Sequence, residues 1–85
     1  MDSLESRIRG LVARVSGISP SVPGDADLYL DLGVASVHAL ELLTHLEQTF
    51  SIRIPDDDFV DATTIDKLAL LIARLQAGNA ENGGA

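Results

Sequence analysis

Ser36 and His38 are the residues whose types and spacing come closest to a catalytic pair. A serine hydroxyl beside an imidazole base can act as a nucleophile, and Asp31 would be the group that orients the base. However, residues two apart on a helix point about 200° away from each other. The sequence around the serine, GVASV, also lacks the Gly-x-Ser-x-Gly turn of serine hydrolases. We therefore find no catalytic constellation and expect a chain that is not an enzyme.

The acidic residues also resemble part of a metal site. Asp25, Asp27 and Asp31 have the spacing that opens a calcium loop, which further needs an acid or amide at its fifth position, glycine at its sixth and glutamate at its twelfth. Those three positions are occupied by Tyr29, Leu30 and Ser36. The two other candidates are the run 56–58, better explained as a solvated helix N-terminus, and the pair His38 and His45, which has no third ligand. We predict no metal site.

Composition excludes several classes of function. The chain of 85 residues is long enough for one small domain, and its net charge of −7 disfavours nucleic acid and anionic membrane surfaces as partners. The absence of cysteine excludes disulfides and thiolate nucleophiles. No apolar run approaches the ~20 residues of a membrane span, and the N-terminus is amphipathic rather than a signal peptide. We expect a cytoplasmic monomer that neither binds nucleic acid nor inserts into a membrane.

The acidic charge is concentrated in the middle of the chain. Residues 25–66 hold ten acids against Arg53 as their single Lys or Arg, whereas residues 1–24 and 67–85 each sum to +1. This distribution is typical of a negative face for a basic protein partner, although solubility alone explains it equally well.

The apolar spacing predicts a first helix over about Ser3–Val15. Asp2 is its expected N-cap, with Glu5 completing a capping box, and Gly17 is its expected end. A long connection follows, over residues 17–35, and connections of this length need function or their own apolar residues to hold them. The residues expected to pin it to the core are Ile18, Val22, Leu28, Leu30 and Leu32.

The second helix is predicted from Ser36, as its N-cap, to Phe50. One face is apolar and belongs in the core, and the other mixes apolar and acidic residues and is suited to docking a partner. The core face comprises Ala39, Leu42, Leu43, Leu46 and Phe50, and the mixed face comprises Val37, Leu40, Glu41, Thr44, Glu47 and Gln48.

The remaining elements are a short helical turn over residues 56–61 and a last helix over residues 64–76, capped by Thr63 and stopped by Gly78. The fold class is therefore all-α. It is a small helical bundle of three main helices and one short helix, with a long loop between helices one and two.

The chain is expected to consist of a folded domain and a disordered tail. Residues 1–77 form the domain, and the tail over residues 78–85 has nothing to bury and is predicted to be disordered.

The segment DLGVASV, residues 31–37, resembles the D-L-G-x-D-S-L signature of the acyl carrier proteins. The resemblance continues through the following helix sequence, through Ile54-Pro55-Asp56 and through the opening of the last helix at residues 63–65. It covers residues 4–76. Each motif is short, and the resemblance depends on their order and spacing.

The resemblance implies that Ser36 is the attachment point of 4′-phosphopantetheine, which a phosphopantetheinyl transferase takes from coenzyme A. The arm ends in a thiol that carries acyl groups as thioesters, which fits a chain without cysteine. The partner enzymes implied are acyl- or ketosynthase-type enzymes with basic docking surfaces, in fatty-acid or polyketide biosynthesis. Val37, Leu40 and Thr44 match the apolar docking positions, and Glu41 and Glu47 match the acidic ones. The residues implied for an acyl-chain cavity are Leu46, Phe50, Ile54, Phe59, Leu68 and Ile72, which as plain core need no such role.

The sequence departs from the family pattern around the serine. Ala35 stands where aspartate is usual, Gln48 and Thr49 stand where acids are common, His38 replaces a frequent aspartate, and Arg53 adds a positive charge. We therefore hypothesise a specialised carrier, for a polyketide, an unusual fatty acid or an aminoacyl group. The alternative is an unmodified acidic helical interaction module of the same fold, against which the retained serine counts.

Overall fold

The computed structural model describes residues 3–83, which form four helices. In chain order these are α1 (Leu4–Ser16), α2 (Ser36–Phe50), α3 (Asp56–Asp61) and α4 (Ile65–Gly83). No β-strand occurs in this part of the chain. The prediction of an all-α bundle with three main helices, one short helix and a long first loop is confirmed. Within residues 3–83, no helix combines the length and the apolar character that a membrane crossing needs.

The core lies where α1 packs against α2 and α4. Each of these helices contributes apolar residues at helical spacing, and burying such a side chain stabilises the fold by about 1.5–3 kcal/mol. The predicted core face of α2 is confirmed, since Ala39 and Leu43 pack against the core and the other three members lie inside it. The side chains with no exposed surface on the three helices are Ile8, Val12, Leu42, Leu46, Leu68 and Ile72.

The ends of α1 are set by Ser3 and Gly17. The Ser3 hydroxyl accepts a hydrogen bond from the Ser6 N–H at 3.1 Å, so Ser3 and not the predicted Asp2 is the N-cap. Asp2 itself lies outside the described residues. The predicted stop at Gly17 is confirmed, because its φ of 75° is left-handed and its N–H bonds the Ala13 carbonyl at 2.8 Å.

The ends of α4 differ from the prediction. Thr64, not Thr63, is the capping side chain, since its Oγ1 accepts a hydrogen bond from the Lys67 N–H at 3.0 Å. The helix passes Gly78 and continues to Gly83, so the predicted end near Gln76 is wrong. A single glycine lowers helix stability by only about 1 kcal/mol, and no proline follows. The division into a domain and a disordered tail stays a prediction.

The loop over residues 17–35 is pinned largely as predicted. Leu28 is completely buried, and its N–H donates to the Thr63 carbonyl at 2.8 Å, which ties the loop to the connection before α4. The prediction that Leu30 also pins the loop is wrong, because its side chain is 86% exposed. The partly buried members that pack against the core are Ile18, Val22 and Leu32.

Arg9 holds the first half of this loop against α1. Its guanidinium Nη1 donates to the Pro20 carbonyl at 3.0 Å and to the Val22 carbonyl, while Nε and Nη2 pair with Glu5 Oε1. A guanidinium that bonds two otherwise unpaired carbonyls fixes a segment that has no secondary structure of its own.

Replacing Arg9 with alanine is expected to destabilise the fold. Because hydrogen bonds to charged groups contribute about 1.5–3 kcal/mol each and this side chain is partly exposed, we expect the free energy of unfolding to fall by about 1–2 kcal/mol. Urea unfolding followed by circular dichroism measures it.

Arg14→Ala is the matched control, because Arg14 is an exposed arginine on the same helix with no described side-chain bond. Its effect should stay within about 0.5 kcal/mol. If both variants lose the same free energy of unfolding, Arg9 acts through helix propensity or net charge and not through its hydrogen bonds to the loop.

Candidate functional site

Ser36 is exposed and is the first residue of α2. The prediction that it caps the helix is wrong, because the N-cap is Ala35, with an extended backbone at φ −75° and ψ 151°. The Ala35 carbonyl accepts from the His38 N–H at 3.0 Å and from the Ala39 N–H at 3.2 Å. The exposed Ser36 side chain does not cap the helix and makes no hydrogen bond among the described contacts.

The N-terminus of α2 is electrostatically uncompensated. No acidic residue lies in its first turn, and Ala35 has no side-chain acceptor to cap it. The N–H groups of Ser36 and Val37 have no described backbone partner. Such a terminus carries a partial positive charge, so a negative group attached at Ser36 is favoured by about 0.3–1 kcal/mol.

Residues before Ser36 fix where the serine stands. Gly33 has a left-handed φ of 70°, which turns the chain, and the next residue, Val34, is buried. The Val34 N–H donates to the Leu28 carbonyl at 2.9 Å. The start of α2 is thereby tied to the buried part of the loop, and Ser36 is held two residues beyond this hydrogen bond.

Asp27 and Asp31 form a reciprocal hydrogen-bonded turn. Asp27 Oδ1 accepts from the N–H groups of Leu30 at 2.8 Å and Tyr29 at 2.9 Å, and Asp31 Oδ2 accepts from the Asp27 N–H at 2.9 Å. The Leu30 N–H lowers the pKa of Asp27 most, burial opposes this, and the Tyr29 N–H lowers it further. Burial and the charge of Asp27 raise the pKa of Tyr29. Neither a calcium loop nor a catalytic triad was predicted for Asp27 and Asp31, and this turn was not predicted either, although their Asx-type spacing is its sequence signal.

The structure does not assemble a serine–histidine–aspartate triad. His38 Nδ1 is buried without a hydrogen-bond partner and lies 3.9 Å from Glu41 Oε1, and Asp31 is engaged by Asp27. No described contact joins Ser36 to either residue. Within residues 3–83, no group of three or more histidine or acidic side chains is arranged to hold a metal ion.

The mixed face of α2 is exposed over most of its length. Val37 is 59% exposed and Leu40 is 68% exposed, and Glu41 and Thr44 are also exposed. Glu47 differs, because it is half-buried and its Oε2 accepts the Ile54 N–H at 2.8 Å. Its carboxylate holds the connection after α2, so the docking role implied for Glu47 competes with an internal one.

The six residues implied for an acyl-chain cavity all lie in the hydrophobic core. Ile54 also lines a surface pocket of about 480 Å³ together with Glu47, Arg53, Pro55 and Asp56. The role of these residues in sheltering an acyl chain stays a prediction.

A second surface pocket, of about 520 Å³, lies between α3 and α4 and is lined by Asp58, Asp61, Ala62, Lys67, Leu70, Leu71 and Arg74.

The Asp27 turn predicts acid-sensitive stability. Because the pKa of Asp27 is lower in the folded chain than in the unfolded one, its contribution to the free energy of unfolding is complete above about pH 4 and is lost as the pH falls through the folded pKa. Asp27→Asn keeps an acceptor oxygen but does not titrate. We expect its urea midpoint to fall less than that of the unsubstituted chain between about pH 5 and pH 2.5.

Asp25→Asn is the control for this experiment, since Asp25 is exposed and makes no described hydrogen bond. If the urea midpoints of the Asp27→Asn variant and the unsubstituted chain fall equally with pH, the assigned role of the turn is contradicted.

Comparison with known proteins identifies the family. Residues 6–72 match the family model described as a phosphopantetheine attachment site. The chain is also 25% identical, over 79 residues, to a non-reducing polyketide synthase of Emericella nidulans; the match covers 93% of this chain and 3% of that protein. The resemblance to acyl carrier proteins is thereby confirmed. The chain belongs to the phosphopantetheine-attachment family, whose carrier domains bind 4′-phosphopantetheine covalently.

Proposed function

We propose that this chain is an acyl carrier and that Ser36 is the residue to which 4′-phosphopantetheine is attached. The observation that carries the proposal is the exposed Ser36 hydroxyl at an uncapped helix N-terminus, inside the DLGVASV segment and inside the family match. The residues present fit the group, because the free N–H groups of the first turn favour the negative charge of a phosphodiester on this serine.

The proposed role of the chain is to hold the attachment serine and present it to other enzymes, and the chemistry of acyl transfer is carried out on the attached group. The group supplies a terminal thiol on a flexible arm, on which acyl groups are carried as thioesters. No described hydrogen bond joins the Ser36 hydroxyl to a base such as His38, and we propose that a group of the separate transferase accepts the proton that leaves Ser36 on modification. We therefore propose that the chain has no catalytic activity of its own.

The proposed partners are a phosphopantetheinyl transferase and acyl- or ketosynthase-type enzymes with basic docking surfaces. The similarity to a polyketide synthase of Emericella nidulans supports a polyketide pathway over fatty-acid synthesis. The substitutions around the serine, Ala35 and His38 above all, support a dedicated pathway. A cytoplasmic, monomeric chain fits this function.

Glu41 is the acidic docking residue that the structure leaves most accessible. It is exposed on the mixed face of α2, between Leu40 and Thr44, and its neighbour His38 lies 3.9 Å away. Glu47, by contrast, is engaged with the Ile54 N–H. We propose that Glu41 meets a basic side chain of the partner and that Glu47 contributes less.

The first test measures the intact mass of the chain after incubation with coenzyme A and a broad-specificity phosphopantetheinyl transferase. We expect one phosphopantetheine increment, complete loss of that increment in Ser36→Ala, and its retention in Ser6→Ala, where an exposed helical serine of α1 is replaced.

No increment with several transferases would favour the unmodified interaction module, to which Ala35 points. An increment that persists in Ser36→Ala would place the attachment elsewhere and overturn the proposal.

The second test neutralises one carboxylate. Glu41→Gln is expected to weaken binding of the modified chain to a polyketide ketosynthase by up to about fivefold, because an exposed ion pair contributes about 0.2–1 kcal/mol. The difference should shrink at high salt. Titration calorimetry at two salt concentrations measures both effects.

Asp57→Asn removes the same charge from an exposed position on α3 and is expected to leave the affinity unchanged. Equal weakening in both variants would mean that net charge, rather than the α2 face, governs docking.

A further inference from the structure

Leu30 is the most exposed large hydrophobic side chain that the structure describes, at 86%. Other apolar residues of the same loop are less exposed, since Leu28 and Val34 are buried and Leu32 packs against the core. Isolated exposed apolar residues are common and need no explanation. Leu30 differs from such residues in two respects: its backbone is fixed by hydrogen bonds, and its loop is tied to the start of α2.

The backbone at Leu30 is fixed by the Asp27 turn. Its N–H donates to Asp27 Oδ1 at 2.8 Å, and the next two N–H groups, of Asp31 and Leu32, both donate to the Asp27 carbonyl at 3.0 Å. Asp31 Oδ2 closes the turn by accepting from the Asp27 N–H. A side chain presented by an ordered turn loses less conformational entropy on binding than one on a mobile loop.

Leu30 lies in the loop segment that a backbone hydrogen bond ties to the start of α2. The Val34 N–H to Leu28 carbonyl hydrogen bond, 2.9 Å long, joins the turn to the start of α2. Leu30 lies two residues from one end of this bond, and Ser36 lies two residues from the other. Val37 and Leu40, the first two exposed apolar residues of α2, follow directly. Exposed large apolar side chains therefore precede the serine in the loop and follow it on α2.

The surroundings of these side chains are negatively charged. The chain has no lysine or arginine between Arg14 and Arg53. The exposed acids in that interval include Asp25, Asp31 and Glu41. The nearby cation, Lys67, belongs to α4 and acts on Asp27. An apolar surface with an acidic rim is complementary to an apolar pocket with a basic rim.

We propose that Leu30, together with Val37 and Leu40, forms an apolar docking surface around Ser36, and that its occupant is the transferase that modifies this serine. Leu30 enters an apolar depression of that enzyme that is bordered by lysine or arginine side chains. This inference rests on the proposed function. It adds the loop before α2 to a docking surface that the sequence pattern placed on α2 alone.

The test is steady-state kinetics of modification, with coenzyme A and a broad-specificity phosphopantetheinyl transferase. Leu30→Ala is expected to lower kcat/KM about tenfold, mainly through a higher KM, because the side chain contributes to binding and not to the reacting atoms. Leu70→Ala is the matched control, since Leu70 on α4 is a leucine of similar exposure, 74%. It should change kcat/KM less than about twofold.

Thermal unfolding of each variant checks that neither substitution disturbs the fold. If Leu40→Ala lowers kcat/KM while Leu30→Ala leaves it unchanged, the docking surface excludes the loop and the inference is wrong. Equal losses in Leu30→Ala and Leu70→Ala also overturn it, since the effect is then not local. If the unsubstituted chain acquires no phosphopantetheine, the proposed function itself fails and the inference fails with it. The first two outcomes leave the proposed function intact.

Discussion

The burial of Leu28 and the two hydrogen bonds of its backbone hold the functional end of this small domain together. Its N–H bonds the Thr63 carbonyl before α4, and its carbonyl accepts the Val34 N–H before α2. The side chain between these bonds has no exposed surface. One loop residue thus connects the segment before α2 with the segment before α4.

The position of Ser36 follows from this arrangement. Because Val34 is held in the core and Gly33 turns the chain, Ala35 falls at the N-cap, where its methyl group cannot accept a hydrogen bond. A serine, aspartate or asparagine at an N-cap stabilises a helix by about 0.5–2 kcal/mol relative to alanine. The chain forgoes that stabilisation at α2 and has it at α1, where Ser3 is the cap. The absence of a capping side chain leaves N–H groups available beside Ser36, the serine at which we propose that the phosphodiester is attached.

The periodic elements were predictable from sequence, whereas the residues that cap their N-termini were not. The limits of α2 and its buried face follow from the helical spacing of residues such as Leu42, Leu46 and Phe50, which depends on nothing outside the helix. Capping depends on one residue adopting extended backbone angles, and these are set by the tertiary contacts of the loop. Asp2, Ser36 and Thr63 were each predicted as caps, and in each case the helix is capped by an adjacent residue.

The same limit explains why the burial of Leu30 was predicted wrongly and why the internal hydrogen bond of Glu47 was not predicted. Leu28, Leu30 and Leu32 have the same apolar character and alternate in sequence, so composition alone assigns all three to the core. The turn built by Asp27 and Asp31 separates them, because it directs Leu28 inward and leaves Leu30 in solvent. Glu47 was predicted on the docking face of α2, but its carboxylate accepts a hydrogen bond from the Ile54 N–H of the same chain. Of the two acids on the mixed face of α2, only Glu41 is therefore exposed, and the loop before α2 presents an exposed apolar side chain at Leu30.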